Sequence, residues 1–203
     1  TWFQPSVSVQ RNEPEAITAK RPQPLVIVPG DLLHVDFGIT YLRLNTDTQQ
    51  HAYVLRAGET RAPDYLNEAF QKGNRLQDIL VSHFKNGATG NEILKATRTQ
   101  ALAEGITPSI YTHPIGFHGH AAGTTIGMWD MQGGVPYTGD YPMHPSTAYS
   151  IELNCTVNIP AWKKDIRIQL EEDGFFTGTG FYYIDGRQKE IILIPKTDNI
   201  NKQ

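Results

Sequence analysis

Cysteine is almost missing. Cys155 is the single thiol in 203 residues, which excludes an internal disulfide and a thiolate metal cluster. Long apolar runs are missing too: none nears the roughly 20 residues that a membrane-spanning helix needs. Neither sign of charge is in strong excess. Eighteen Lys and Arg stand against 21 Asp and Glu, for a formal net charge of −3, and the basic residues are scattered. Such a balance lacks the electrostatic footprint of a nucleic-acid surface. No nucleic-acid and no membrane partner is expected. No signal peptide, internal repeat or low-complexity segment is visible. The opening Thr1-Trp2-Phe3 reads as processed or trimmed, so the compartment, cytoplasmic or exported, is left open.

The remaining pattern fits one domain over residues 1–203. Residues 2–11 alternate loosely and read as a strand. Residues 12–24 are polar and Pro-rich and read as an exposed loop. Residues 25–28 read as a short apolar strand, closed by the Pro29-Gly30 turn. Residues 32–39 and 52–55 read as two antiparallel strands. Leu66, Ala69, Phe70, Leu76, Ile79, Leu80 and Phe84 recur at helical spacing, so a helix is expected over 63–84, stopped by Asn86-Gly87. Thr89 and Glu92 form a capping-box pattern for a second helix that runs to about Glu104 and ends at Gly105. Residues 110–194 read as strand and loop, and the tail from 196 as frayed. Strands, then two helices, then strands argue an α+β fold.

Chemistry concentrates at a few positions. Period-two alternation puts Leu33, Val35 and Phe37 on one face of a strand and His34 with Asp36 on the other. Asp47 follows eleven residues after Asp36, beyond a short turn, and an antiparallel hairpin would bring the two carboxylates together. His113, Gly116 and His120 form a His-x-x-Gly-x-x-x-His run in which glycine allows close backbone approach. Glu152 lies in the Ser150-Ile151-Glu152 strand, and Glu171 follows Leu170. Glu172 alternates away from Glu171, so one of the two faces a common site. Each residue taken singly also has an ordinary reading: Asp47 as a solvated turn residue, His118 as a loop histidine, His34 as a hydrogen-bonded structural histidine, each Glu as a solvent-facing strand residue. Taken together, two Asp, one His and two Glu suffice for a pair of divalent cations, and carboxylates clustered on apolar strands are costly unless something cationic holds them.

These residues, in this order and spacing, resemble the pita-bread metallopeptidases, the family of methionine aminopeptidase, aminopeptidase P, prolidase and creatinase. The match covers about residues 26–195 and is nearest in pattern to the Xaa-Pro aminopeptidase-like members. The resemblance implies an α+β pita-bread fold, a curved antiparallel sheet flanked by helices, here without part of its N-terminal half. It implies a hydrolase with two divalent metal ions (Mn, Co, Fe or Zn) that removes an N-terminal residue from a peptide substrate. Asp36 would hold one ion, His113 and Glu152 the other, and Asp47 and Glu171 would bridge both. The two cations would activate a water, Glu152 would take part in proton transfer, and His120 would donate a hydrogen bond to the substrate carbonyl or the developing oxyanion. Oxygen ligands with one imidazole favour Mn, Fe or Co. A homodimer is left open.

The chain departs from the family pattern in places that bear on substrate rather than on metal. Residues 7–19 carry no pocket histidine, Ser109 stands where proline-cleaving members often have a histidine, and Gln50 stands where an Arg is common. The helical segment that precedes the first strand is absent, so the chain is expected to be the C-terminal part of a larger protein. Two alternatives remain on the same fold: a creatinase-like hydrolase that acts on a non-peptide, and a peptide-binding module. Both usually lose ligands in this family, whereas all five positions are kept here.

Overall fold

The structure, a computed structural model, describes residues 1–12 and 26–195. The expected loop over 12–24, apart from Asn12, and the expected tail from 196 lie outside the described residues, as does Leu25. The strand expected over 25–28 is not formed by its described part: Val26, Ile27 and Val28 are irregular and exposed. A turn wins there, because the Asp31 carboxylate accepts the Val28 N–H at 2.8 Å and the Asp31 N–H donates to the Val28 carbonyl.

In chain order the elements are β1 (Ser6–Gln10), β2 (Leu32–Phe37), β3 (Thr40–Tyr41), β4 (Leu44–Asn45), β5 (Thr48–Val54), α1 (Asp64–Ser82) and α2 (Gly90–Ala103). They continue with β6 (Thr107–Ile110), β7 (His113–Pro114), β8 (Thr147–Ser150), β9 (Leu153–Ile159), β10 (Lys164–Leu170), β11 (Asp173–Phe176), β12 (Phe181–Tyr183) and β13 (Ile192–Ile194). Three sheets carry the fold, ordered β1-β2-β5-β13, β10-β9-β6 and β12-β11-β8-β7, and β3 with β4 makes a small hairpin. All strand pairs are antiparallel except β13 on β5. A bridge between Gln49 and Glu171 ties the first sheet to the junction of β10 and β11. Strands before and after two helices in chain order make the α+β arrangement expected from the sequence.

Alternation on β2 holds, with an unexpected assignment of its faces. Leu33 joins only a small cluster with Ala52, Val54 and Val9, and Phe37 on that face is 38 % exposed. Leu32 enters the main core, so His34 and Asp36, which share its face, point inward. The polar face of β2 is therefore the inner one.

Both helices form where the spacing puts them, but α1 ends at Ser82, four residues before Asn86-Gly87. Its last turn closes through the His83 N–H on the Leu80 carbonyl, and Ser82 Oγ back-bonds to Ile79, so Gly87 belongs to the following turn. Helix α2 has the full capping box of Thr89 and Glu92. Its far end is a Schellman turn: the Gly105 N–H reaches Leu102, the Ile106 N–H reaches Ala101, and Gly105 sits at φ +73°.

The core packs α1 against β9 and β10. Leu66, Phe70, Leu76, Ile79 and Leu80 of α1 meet Leu153, Ile166, Ile168 and Leu170 from the sheet in one buried cluster. Gly73 lets the helix approach closely, since a Cβ there would lie 2.7 Å from Ile168 Cγ2 and 2.9 Å from Leu170 Cδ1. Strand β10 runs directly into Glu171, so this contact positions the site as well as the core. Gly73→Val should cost about 1–3 kcal/mol by overpacking and should displace Leu170. Urea unfolding of the variant measures the cost, and a midpoint equal to wild type would disprove the close contact.

Candidate metal centre

Strand ends from three sheets converge on one place. Asp36 is the penultimate residue of β2 and Asp47 immediately precedes β5, the β3–β4 hairpin filling the gap between them. His113 opens β7, Glu152 lies between β8 and β9, and Glu171 follows β10. The centre of a strand must direct alternate side chains to two faces, whereas a strand end can turn its side chain into a shared space.

The buried His113 imidazole is the hub. Its Nε2 lies 4.0 Å from Asp47 Oδ2, 3.9 Å from Glu152 Oε2 and 3.8 Å from Glu171 Oε1. All three distances are too long for hydrogen bonds. On the other side of the ring, Nδ1 lies 3.1 Å from the Pro114 carbonyl. A carbonyl only accepts, so Nδ1 carries the proton and Nε2 offers a lone pair. Among the described residues, His113 Nε2, Asp36 Oδ1 and Asp47 Oδ1 are buried polar atoms without a hydrogen-bond partner. Asp36, Asp47 and Glu171 bring ligand atoms within 4.8 Å of one another, and so do His113, Glu152 and Glu171. Bare acceptors that face each other in a buried space are what a divalent cation would satisfy, and the oxygen-rich donor set with one imidazole suits a hard ion. The residues present therefore fit the metal that the sequence pattern implies.

The five positions singled out from the sequence come together, and others surround them. His120 is exposed at the mouth, its ring 4.3 Å from that of His113, with Nδ1 3.4 Å from the Tyr111 hydroxyl and Trp2 against its edge. Its nitrogen also comes within 4.8 Å of ligand atoms of Asp47 and His113. His118 faces Phe117 in an exposed loop. His34 is buried and hydrogen-bonded, as a structural histidine should be. Glu152 is less enclosed than its strand context suggests, with 24 % of its side chain exposed. Glu172 does turn away from Glu171, but into a second enclosed position: only 7 % exposed, it accepts the Gln188 N–H and a bond from Gln50. Sequence reasoning passed over Gln49, which donates to Glu152 and to Glu171, and Asp173, whose carboxylate accepts the Asp47 N–H. The signal for Gln49 was its place two residues after Asp47, on the same face of an alternating strand.

The model of metallopeptidase family M24 matches residues 1–177. The chain belongs to that family. Among solved structures, X-Pro aminopeptidase from Thermotoga maritima is similar over 95 % of this chain and 49 % of its own, with a TM-score of 0.70 and 19 % identity. Xaa-Pro dipeptidase from Bacillus anthracis is similar over 95 % and 49 %, with a TM-score of 0.66 and 23 % identity. The N-terminal domain of FACT complex subunit SPT16 from Eremothecium gossypii is similar over 95 % and 42 %, with a TM-score of 0.67 and 12 % identity. At such identities the likeness establishes the pita-bread fold. The chain spans about half the length of these structures. No curated protein matches it.

This M24 chain holds its acidic cluster at a high electrostatic cost. Burial, and after it the charges of Asp36 and Asp173, raises Asp47 to about 7. Burial raises Glu152 to about 8, partly offset by the Gln49 hydrogen bond, and pushes Glu171 well above the usual carboxylate range. Burial also lowers His113 to about 4, so its ring is neutral and ligand-ready. The raised carboxyls bind protons more tightly folded than unfolded. The stability they give is complete below their unfolded values near 4 and is lost as the pH rises through the folded values. The lowered histidines act in the opposite sense, but only below about 6.5, where an unfolded imidazole titrates. From about pH 7 to about pH 8.5 the histidines drop out and the carboxyls dominate, joined near the upper end, in the same sense, by the buried Cys155 thiol. Metal-free protein should therefore melt at a lower temperature at the upper end of that window than at the lower, and added Mn²⁺ should raise the melting temperature more at the upper end. Thermal scans by circular dichroism after chelation test this; a metal-free protein that gains stability across the window would contradict it.

Proposed function

We propose that the chain is the catalytic part of a dinuclear-metal hydrolase that removes the N-terminal residue of peptides, with proline at the second position as the preferred case. The observation that carries this reading is His113, buried and oriented by Pro114, presenting a bare Nε2 to three carboxylates at 3.8–4.0 Å. Asp36 is assigned to one cation, His113 and Glu152 to the other, and Asp47 and Glu171 to both. When bound, the two cations supply Lewis-acid polarisation of a carbonyl and lower the pKa of an attacking water.

The chain's own groups do the rest. Glu152 has one oxygen taken by Gln49 and the other, Oε2, turned to the site, where it carries a proton from water to the departing amine. His120, at the open mouth and packed between Trp2 and Tyr111, donates to the substrate carbonyl oxygen as charge develops there. The two X-Pro-cleaving proteins of the same fold support a peptide substrate. A second reading, a peptide-binding module, is kept because an SPT16 N-terminal domain shares the fold, at a TM-score of 0.67 and 12 % identity. Metal content separates the two.

Metal-loaded protein should carry about two divalent ions per chain, and Asp47→Asn should lose at least one of them together with most activity, because an amide cannot neutralise two cations. Elemental analysis after incubation with Mn²⁺ or Co²⁺ and desalting decides; no bound metal in the wild type would end the hydrolase reading. Digestion of Xaa-Pro, Met-Ala and creatine substrates, followed by mass spectrometry, tests specificity. His120→Ala should slow the Xaa-Pro cleavage by about 10²- to 10³-fold with metal content unchanged. Turnover of creatine alone would replace the peptidase with an amidinohydrolase, and metal loss in His120→Ala would make that histidine a ligand.

A further inference from the structure

Gln49 reaches both glutamates of the cluster from below. Its Nε2 lies 3.0 Å from Glu152 Oε1 and 2.7 Å from Glu171 Oε2. With a cation bound both carboxylates are ionised and only accept, so the amide nitrogen faces them, and both of its N–H groups are used. The Gln49 Oε1 is then an acceptor, and His34 Nε2 lies 2.8 Å from it. That nitrogen must carry the imidazole proton. His34 Nδ1 is left as an acceptor, and Ser8 Oγ, 3.2 Å away on β1, donates to it. Every side-chain donor along Ser8–His34–Gln49 thus has an acceptor. Both His34 and Gln49 are buried.

The consequence lies at the other oxygen of each glutamate. Gln49 holds one oxygen of each, and the second ones, Glu152 Oε2 and Glu171 Oε1, face His113 Nε2 at 3.9 and 3.8 Å, with Glu171 Oε1 also accepting from Ser150 Oγ at 2.6 Å. We infer that Ser8, His34 and Gln49 form a positioning relay that turns one oxygen of each glutamate toward His113 and thereby sets the affinity for the cation at His113, Glu152 and Glu171. The inference rests on the metallopeptidase reading of this site. The hydrogen bonds of the relay end on Glu152 and Glu171 and not on Asp36, so the cation assigned to Asp36 depends on it less, through the shared Glu171. Outer partners of this kind commonly control about 10- to 100-fold in metal affinity.

Two measurements test the relay without any turnover. In ¹⁵N-histidine NMR of the Zn²⁺-loaded wild type, His34 should be a neutral ring protonated on Nε2; a ring protonated on Nδ1 would overturn the inference. In Mn²⁺ titrations followed by electron paramagnetic resonance, Gln49→Met and His34→Phe should weaken one binding step by about 10- to 100-fold and the other step less. Both steps at wild-type affinity in folded variants would overturn it. If neither variant folds, the wild-type tautomer decides alone. Asp47→Asn is the control. If that variant loses metal while the relay variants keep it, the relay alone is wrong; if Asp47→Asn also keeps both steps, the metal-site reading fails and takes the relay with it.

Discussion

Three carboxylates crowded around one buried imidazole, with Asp36 beside them, are the constraint on which the structure turns. Each is costly to bury as an anion, and each raises the cost of its neighbours. The fold tolerates them through a limited set of neutral donors: Ser150 and Gln49 on Glu171, Gln49 on Glu152, and a backbone N–H for Asp173 behind Asp47. Those donors stop short of His113 Nε2 and of one oxygen each on Asp36 and Asp47. Charge of the opposite sign is what that remaining space calls for, and the chain supplies none of it from Lys or Arg among the ion pairs of the described residues at the cluster. A divalent cation would resolve the repulsion and the missing partners together.

The scaffold explains how such a cluster can be held. Its members sit at strand ends from three sheets, and each sheet is fixed by something other than the cluster. The first sheet is locked by the β2–β5 register, which sets Asp36 opposite Gln49. The second is clamped by α1, whose Gly73 permits close approach to Ile168 and Leu170 and so places Glu171. The third sets His113 opposite Ser150, and Ser150 in turn bonds Glu171. Hydrophobic burial in the main core therefore offsets the electrostatic cost at its edge.

Much of the fold was legible in residue order. The capping box at Thr89 and Glu92 and the Gly105 stop are local devices, decided by side chains within a few residues of the backbone groups they satisfy, and both appear as read. The Asn86-Gly87 stop and the strand over 25–28 failed for a related reason. Each rested on a weak local preference, and a better local alternative, the His83 turn in one case and the Asp31 carboxylate in the other, lay beside it. Glu172 was correctly turned away from Glu171 by alternation, but alternation carries no information on what covers the opposite face. It met Gln188 and Gln50 rather than water.

The sequence by itself determined which residues carry charge and imidazole, their order, and the period that puts His34 with Asp36 and Gln49 with Asp47. Those are properties of spacing, and spacing is written in the chain. Only the tertiary structure decided which face of β2 is the inner one, that Gln49 lies between two glutamates more than a hundred residues away, and which nitrogen of His113 is bare. Those outcomes depend on how three sheets dock against one helix pair, and hydrogen-bond partners across such a docking are fixed by the packing of the core rather than by any neighbour in sequence.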